Sequence, residues 1–147
     1  MRRGSFLFVK NLIARAAPRC YTPGRHHVGG FLGQRGHDRF SVEHGVLDGV
    51  QIVTIGGDAD IYASESIHGV FEAVSDEMPL IVDFRACNYI DSSVISTLIR
   101  MRKRRSMPVR LVLEKDSIVA RVVELTQIGT IMPVALTIED AKKQLDA

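Results

Sequence analysis

Cysteine is scarce in this chain: 147 residues hold only Cys20 and Cys87. Two cysteines in distant segments cannot form the disulfide framework of a small secreted domain, so a reduced, cytoplasmic setting is expected. Long apolar runs are missing as well, and none approaches the roughly 20 residues of a membrane-spanning helix. The basic start, Met1 to Lys10, has one short apolar patch, which argues against a secretory signal. Acids are nearly absent from the first forty residues, where Asp38 stands against eight Lys and Arg. Because the whole chain has 19 bases and 17 acids, eleven bases and sixteen acids remain for residues 41–147. A tail of +7 therefore precedes a segment of −5, and the net charge of +2 describes neither.

Motifs of common enzymes are also missing. The chain contains no Gly-x-Ser-x-Gly elbow, no phosphate-binding Gly-Lys-Ser/Thr loop and no paired cysteine ligands. His68 falls within a helical pattern with no matched acid or nucleophile, so it reads as a surface or boundary histidine. Cys87 reads as a small loop residue packed near a sheet, with a redox site as the sharper alternative. No catalytic residue, cofactor or metal site is expected, and a small hydrolase is the most distant reading.

Residues 1–39 are rich in Arg, Gly and His, with Pro18, Pro23 and Gly29-Gly30 and no sustained periodicity, so disorder is the expectation. An organellar transit peptide, a nucleic-acid-binding tail and a translation start nearer the domain are the alternatives. Cys20, His26, His27, His37 and His44 could be read as metal ligands, although their spacing fits no zinc pattern.

From Phe40 to Ala147 the chain becomes regular. Phe40, Val42 and Val46 alternate as in a strand, Asp48-Gly49 signals a hairpin, and Gln51 to Ile55 forms the return strand. Gly56-Gly57 should break that strand, and Asp58-Ala59-Asp60 should form an acidic loop. Ser64 is placed to cap a helix in which Ile67, Val70, Phe71 and Val74 share a face. Leu80 to Phe84 reads as a buried strand and Val109 to Leu113 as another. Asp116 or Ser117 opens a helix that Gly129 closes, and Val134 to Leu136 reads as a last strand. Thr137 to Asp140 then opens a final helix with a capping-box pattern. The fold class is α/β: one domain with a mixed sheet of about five strands and about four helices.

Between Leu80–Phe84 and the helical stretch Val94–Arg100 lies Asp91-Ser92-Ser93. Asp91 suits an N-cap, and the two hydroxyls then fall on the first turn, where free N–H groups and the positive dipole end can accommodate a phosphate. A plain cap is the other reading. The cationic end of that helix, Arg100 to Arg105, reads as a solvated cluster that complements the dipole, not as a nucleic-acid site. In alternating α/β sheets, ligand and partner sites gather where strands hand over to helices, and both Asp58–Asp60 and Asp91–Ser93 sit at such places.

The order of elements and these two segments resemble the STAS domain, the fold of anti-sigma factor antagonists, over about residues 40–147. Gly57-Asp58-Ala59-Asp60 is similar to the family's Gly-Glu-Leu-Asp signature, and Tyr89-Ile90-Asp91-Ser92-Ser93 to its Asp-Ser-Ser-Gly loop. The resemblance implies a non-enzymatic module for regulating transcription that binds a serine kinase/anti-sigma factor. It implies Ser93 as phosphoacceptor, with Asp58, Asp60, Asp91, Ser92 and Val94 on the partner-binding surface. Val94 stands where the family usually has Gly, and a β-branched side chain there is expected to crowd a kinase active site. A non-phosphorylated STAS adaptor of a lipid-transport or signalling complex is therefore the alternative.

Overall fold

The computed structural model describes His26–His27 and residues 40–146. The expectations for the rest of the tail, including Cys20 and His37 as metal ligands, lie outside the described residues. The first hairpin joins β2 (Phe40–Leu47) to β3 (Val50–Ala59) in register from Phe40↔Gly57 to Leu47↔Val50. Its two-residue turn has φ of 52° at Asp48 and 78° at Gly49. Two successive positive φ values are the type I′ geometry that matches the twist of the flanking strands, as Asp-Gly predicts. A two-residue strand, β1 (His26–His27), pairs antiparallel with β2 at His26↔Val42.

The remaining elements are α1 (Ile61–Ala73), β4 (Leu80–Asp83), β5 (Cys87–Ile90), α2 (Ser92–Arg104), β6 (Val109–Val112), α3 (Ile118–Thr126), β7 (Val134–Ala135) and α4 (Ile138–Asp146). The sheet runs β1-β2-β3-β4-β6-β7, antiparallel at its first two pairings and parallel thereafter, with β5 on the far part of β3. The mixed sheet and four helices agree with the sequence reading. The strands added to it are β1, of two residues, and β5, whose Cys87-Asn88-Tyr89-Ile90 is buried only at its two ends and so lacks the apolar run of β4 and β6.

Alternation divides the core between the two faces of the sheet. Val53, Ile55, Leu80, Val82 and Leu111 pack under α1, α2 and α3, whose Ile67, Phe71, Leu98 and Val123 complete the larger cluster. Val50, Ile81, Val112 and Ala135 face the other way, against Ala141 of α4. All four residues of β4 are buried, as a central parallel strand covered on both faces requires. A fully buried Leu, Ile or Val in such a layer contributes about 1.5–3 kcal/mol.

Several local expectations change. β3 does not break at Gly56-Gly57 but continues to Ala59, so Asp58 and Ala59 are strand residues, not a loop. Its register shifts between Gly57 and Asp58, where Gly57 has φ of 77°. The glycine pair thus bends the strand onto a second partner, because only glycine adopts that φ without strain. Asp60, not Ser64, caps α1, because the strand runs on to Ala59 and the helix begins directly after Asp60. Gln127 in the left-handed region, not Gly129, ends α3, and the following 3-10 turn (Ile128–Thr130) buries Ile128 and Met132.

The cationic end of α2 is only partly solvated. Arg105 is 4% exposed and donates to the Ser75 and Met78 carbonyls, both at 2.7 Å, and to Asp76 at 3.2 Å. Gln51 holds the same connection, its amide donating to the Ser75 carbonyl at 2.8 Å and accepting from Ser75 N at 2.8 Å. A buried guanidinium needs several acceptors, and the connection between α1 and β4 supplies them. His44 is also buried, and neither ring nitrogen has a hydrogen-bond partner among the described residues. Burial, and secondarily the Arg105 charge, lower its pKa from 6.5 to about 4.

Two outcomes are expected. As the pH falls from 6.5 towards about 4, the unfolded chain takes up a proton at His44 that the folded protein refuses. Stability present above that window is then lost through it, by about 3 kcal/mol. Urea unfolding should show this slope in the native protein and a flatter one in His44→Leu; equal slopes would remove His44 from the acid response. Gly57→Ala, which places a side chain at positive φ, should cost about 1–2 kcal/mol and lower Tm by several degrees. An unchanged Tm would show that the bend does not need glycine.

Candidate functional site

Two strand-to-helix handovers lie side by side. Past its bend, β3 pairs parallel with β5 through Asp58↔Tyr89 and Ala59↔Ile90. The next residues, Asp60 and Asp91, are the N-caps of α1 and α2. Asp91 N donates to the Ala59 carbonyl at 3.2 Å, which ties the second cap to the end of the first strand. Thus the pairing that closes this part of the sheet also sets two capped helix N-termini next to one another. Each end gathers N–H groups that have no carbonyl partner within the helix, together with the positive pole of the helix.

The preceding turn fixes β5 in place. Asp83, at the end of β4, accepts from Arg85 N at 3.0 Å and from the Arg85 guanidinium at 2.8–3.2 Å. Cys87 N then donates to the Phe84 carbonyl at 2.9 Å, and Gly57 N to the Ala86 carbonyl at 2.9 Å. Cys87 is therefore a strand residue and not a loop residue. Its buried thiol donates to the Tyr89 carbonyl at 3.2 Å. Burial pushes the thiol pKa up, which disfavours the reactive thiolate.

At the first handover, the Asp60 carboxylate accepts from Tyr62 N at 2.9 Å and Ala63 N at 3.2 Å. At the second, one oxygen of Asp91, Oδ1, accepts from Ser93 N at 2.9 Å and Val94 N at 3.3 Å, and also from the Ser93 hydroxyl. Both the plain-cap reading of Asp91 and the placement of two hydroxyls on the first helical turn describe this end correctly. Ser92 is exposed and Ser93 half-buried. The Ser93 carbonyl accepts from the Thr97 hydroxyl at 2.9 Å, fixing the turn from below.

Val94 differs from expectation. It is fully buried in the core under the sheet. Its side chain is packed inward and forms no part of the exposed surface. The helix periodicity explains this, since Val94 shares a face with Leu98 and Met101, which are buried with it. Asp58, Asp60, Asp91, Ser92 and Ser93 do come together at one edge.

Three residues that the sequence reading missed lie at this edge. Ile61 is 62% exposed, Tyr62 68% and Tyr89 45%. Ile61 and Tyr62 follow Asp60 directly, and Tyr89 is the strand partner of Asp58. An apolar side chain in a first helical turn looks like core in sequence; its exposure is decided by where the strand before it ends. Large apolar side chains clustered beside polar groups are the usual composition of a protein-contact surface.

His68 is half-exposed on α1, with Nε2 3.7 Å from the Glu72 carboxylate. Among the described residues, no three His, Cys, Asp or Glu side chains converge to hold a metal ion, and no helix is long and apolar enough to cross a membrane.

The sequence profile of the STAS domain matches residues 41–141. An anti-sigma factor antagonist from Mycobacterium paratuberculosis has a similar structure, with a TM-score of 0.68 and 20% identity, covering 74% of this chain and 95% of that one. The anti-sigma factor antagonist SpoIIAA in its unphosphorylated form is similar with a TM-score of 0.50 and 23% identity, over 74% of this chain and 98% of that one. No curated protein matches the chain. At these identities the structural likeness speaks for the fold, while the profile covers most of the sequence and the whole edge described above. The chain belongs to the STAS domain family.

Proposed function

We propose that this protein is an anti-sigma factor antagonist: a non-enzymatic module that binds a serine kinase/anti-sigma factor and is switched by phosphorylation of Ser93. The observation that carries this reading is the Ser93 hydroxyl itself, held on the Asp91 carboxylate at the exposed N-terminus of α2. A hydroxyl at that place is reachable by a kinase, and the phosphate it acquires meets a helix end that favours negative charge. Asp58, Asp60, Asp91 and Ser92, with Ile61, Tyr62 and Tyr89, form the partner surface around it. The kinase transfers the terminal phosphoryl group of a nucleoside triphosphate to Ser93 Oγ; the diphosphate leaves and the hydroxyl proton passes to solvent.

Binding is broken by charge at the interface. Nearly two added negative charges amid Asp58, Asp60 and Asp91 must be desolvated against the partner, which costs affinity. The anti-sigma factor antagonist names of the similar structures support this reading. So does the burial of Val94, because it removes the steric objection that favoured a non-phosphorylated adaptor.

The test uses the full chain with each serine kinase/anti-sigma protein of its own source and ATP. Intact mass should rise by one phosphate with at least one of them and stay unchanged in Ser93→Ala. Ser93→Asp should bind that partner at least ~10-fold more weakly than wild type. No phosphate from any of these kinases, with a partner that holds Ser93→Asp as tightly as wild type, would replace the switch by the adaptor.

A further inference from the structure

We infer that phosphorylation of Ser93 exchanges the N-cap of α2: the phosphate takes the N–H groups that Asp91 holds, and the Asp91 carboxylate is released. The inference rests on the reading of Ser93 as the acceptor and concerns how its modification is felt by the fold.

One carboxylate oxygen, Asp91 Oδ1, serves three donors: Ser93 N, Val94 N and the Ser93 hydroxyl. Phosphorylation removes the third donor. The hydroxyl proton leaves to solvent, the O–P bond forms as the bond to the nucleoside diphosphate breaks, and Oγ becomes part of a group with three strong acceptor oxygens. A dianion then stands where a proton had joined Ser93 to the carboxylate. Two anions cannot share the same pair of N–H donors at that separation. The phosphate is the stronger claimant: it carries the larger charge, and its short tether starts from the residue whose own N–H it accepts.

Release of the carboxylate has a direction. The Asp91 backbone is fixed on both sides, its N–H on the Ala59 carbonyl at 3.2 Å and its carbonyl accepting from Ile95 N at 3.2 Å. Only the side chain is free to turn. Ala59 pairs with Ile90 and is followed at once by Asp60, the cap of α1. A displaced Asp91 side chain therefore stays at the edge formed by Asp58, Asp60 and Tyr89. The modification adds the phosphate charge and also turns a carboxylate that had been hydrogen-bonded to N–H groups outward onto the partner surface.

The test is a comparison of four full-length proteins, with phosphoserine placed at position 93 by genetic encoding so that no kinase is needed. Asp91→Ala should lower Tm by several degrees in the unmodified protein, where it removes the cap, and should leave Tm unchanged or higher in the phosphorylated one. An equal loss in both would show that Asp91 still caps α2 beside the phosphate and would overturn the exchange. If the unmodified Asp91→Ala protein does not fold, phosphorus NMR titration of the phosphorylated wild type and Asp91→Asn decides. A phosphate pKa at or below ~6 that is the same in both fits a departed carboxylate. A pKa raised in the wild type and lowered by Asp91→Asn would mean that the two anions remain together. A kinase that leaves Ser93 untouched would overturn the proposed function without touching either result.

Discussion

One strand serves two partners in succession, and the site depends on it. The first part of β3 pairs with β4 from Gln51↔Leu80 to Thr54↔Asp83, and its last residues pair with β5. The change of partner takes place at Gly56-Gly57, where a positive φ and a register shift turn the strand. Without that bend Ala59 would not meet Ile90, and Asp60 and Asp91 would not start their helices at the same edge. Parallel pairing matters as much as the bend, because it points the C-terminal ends of both strands the same way. The edge that carries Asp60 and Asp91 is thus a consequence of backbone hydrogen bonding, with the side chains set upon it.

Stability and the site draw on different parts of the molecule. The two faces of β4 lie under apolar layers that carry most of the burial. At the opposite end of the strands from the Asp60–Asp91 edge, Arg105 and Gln51 grip the connection between α1 and β4 through its carbonyls. His44 is buried without a described partner and kept neutral by its surroundings. The Arg105 and Gln51 contacts hold the end of the sheet that lies away from the Asp60–Asp91 edge. The cap of α2 can then be altered locally while Val94, Leu98 and Met101 hold the helix on the sheet.

The sequence was legible wherever a short-range rule governs the backbone. Asp48-Gly49 dictates the hairpin through two positive φ values. Asp91 before two serines dictates a cap, and Ser117 and Thr137 do the same for α3 and α4. Legibility failed where a residue's role depends on a distant neighbour. Gly56-Gly57 looks like a break, yet β5 lies alongside to accept the bent strand. Arg105 looks like one more solvated cation, yet the carbonyls that bury it come from residues 75 and 78. Val94 looks like a surface neighbour of Ser93, yet a helix turns by about 100° per residue and carries its side chain inward.

Sequence alone determined the α/β class, the hairpin, the succession of strands and helices after it, and the place of Asp91-Ser92-Ser93 at a helix start. These follow from hydrophobic period and capping chemistry, which act over a few residues. Only the tertiary structure decided that β3 runs on to Ala59, that Asp60 caps α1 beside Asp91, and that Ile61, Tyr62 and Tyr89 are left exposed there. It also decided that Val94 belongs to the core. The physical reason is common to all of these: exposure and adjacency are set by pairing between segments some thirty residues apart, and no local pattern of polar and apolar side chains records which strand lies next to which.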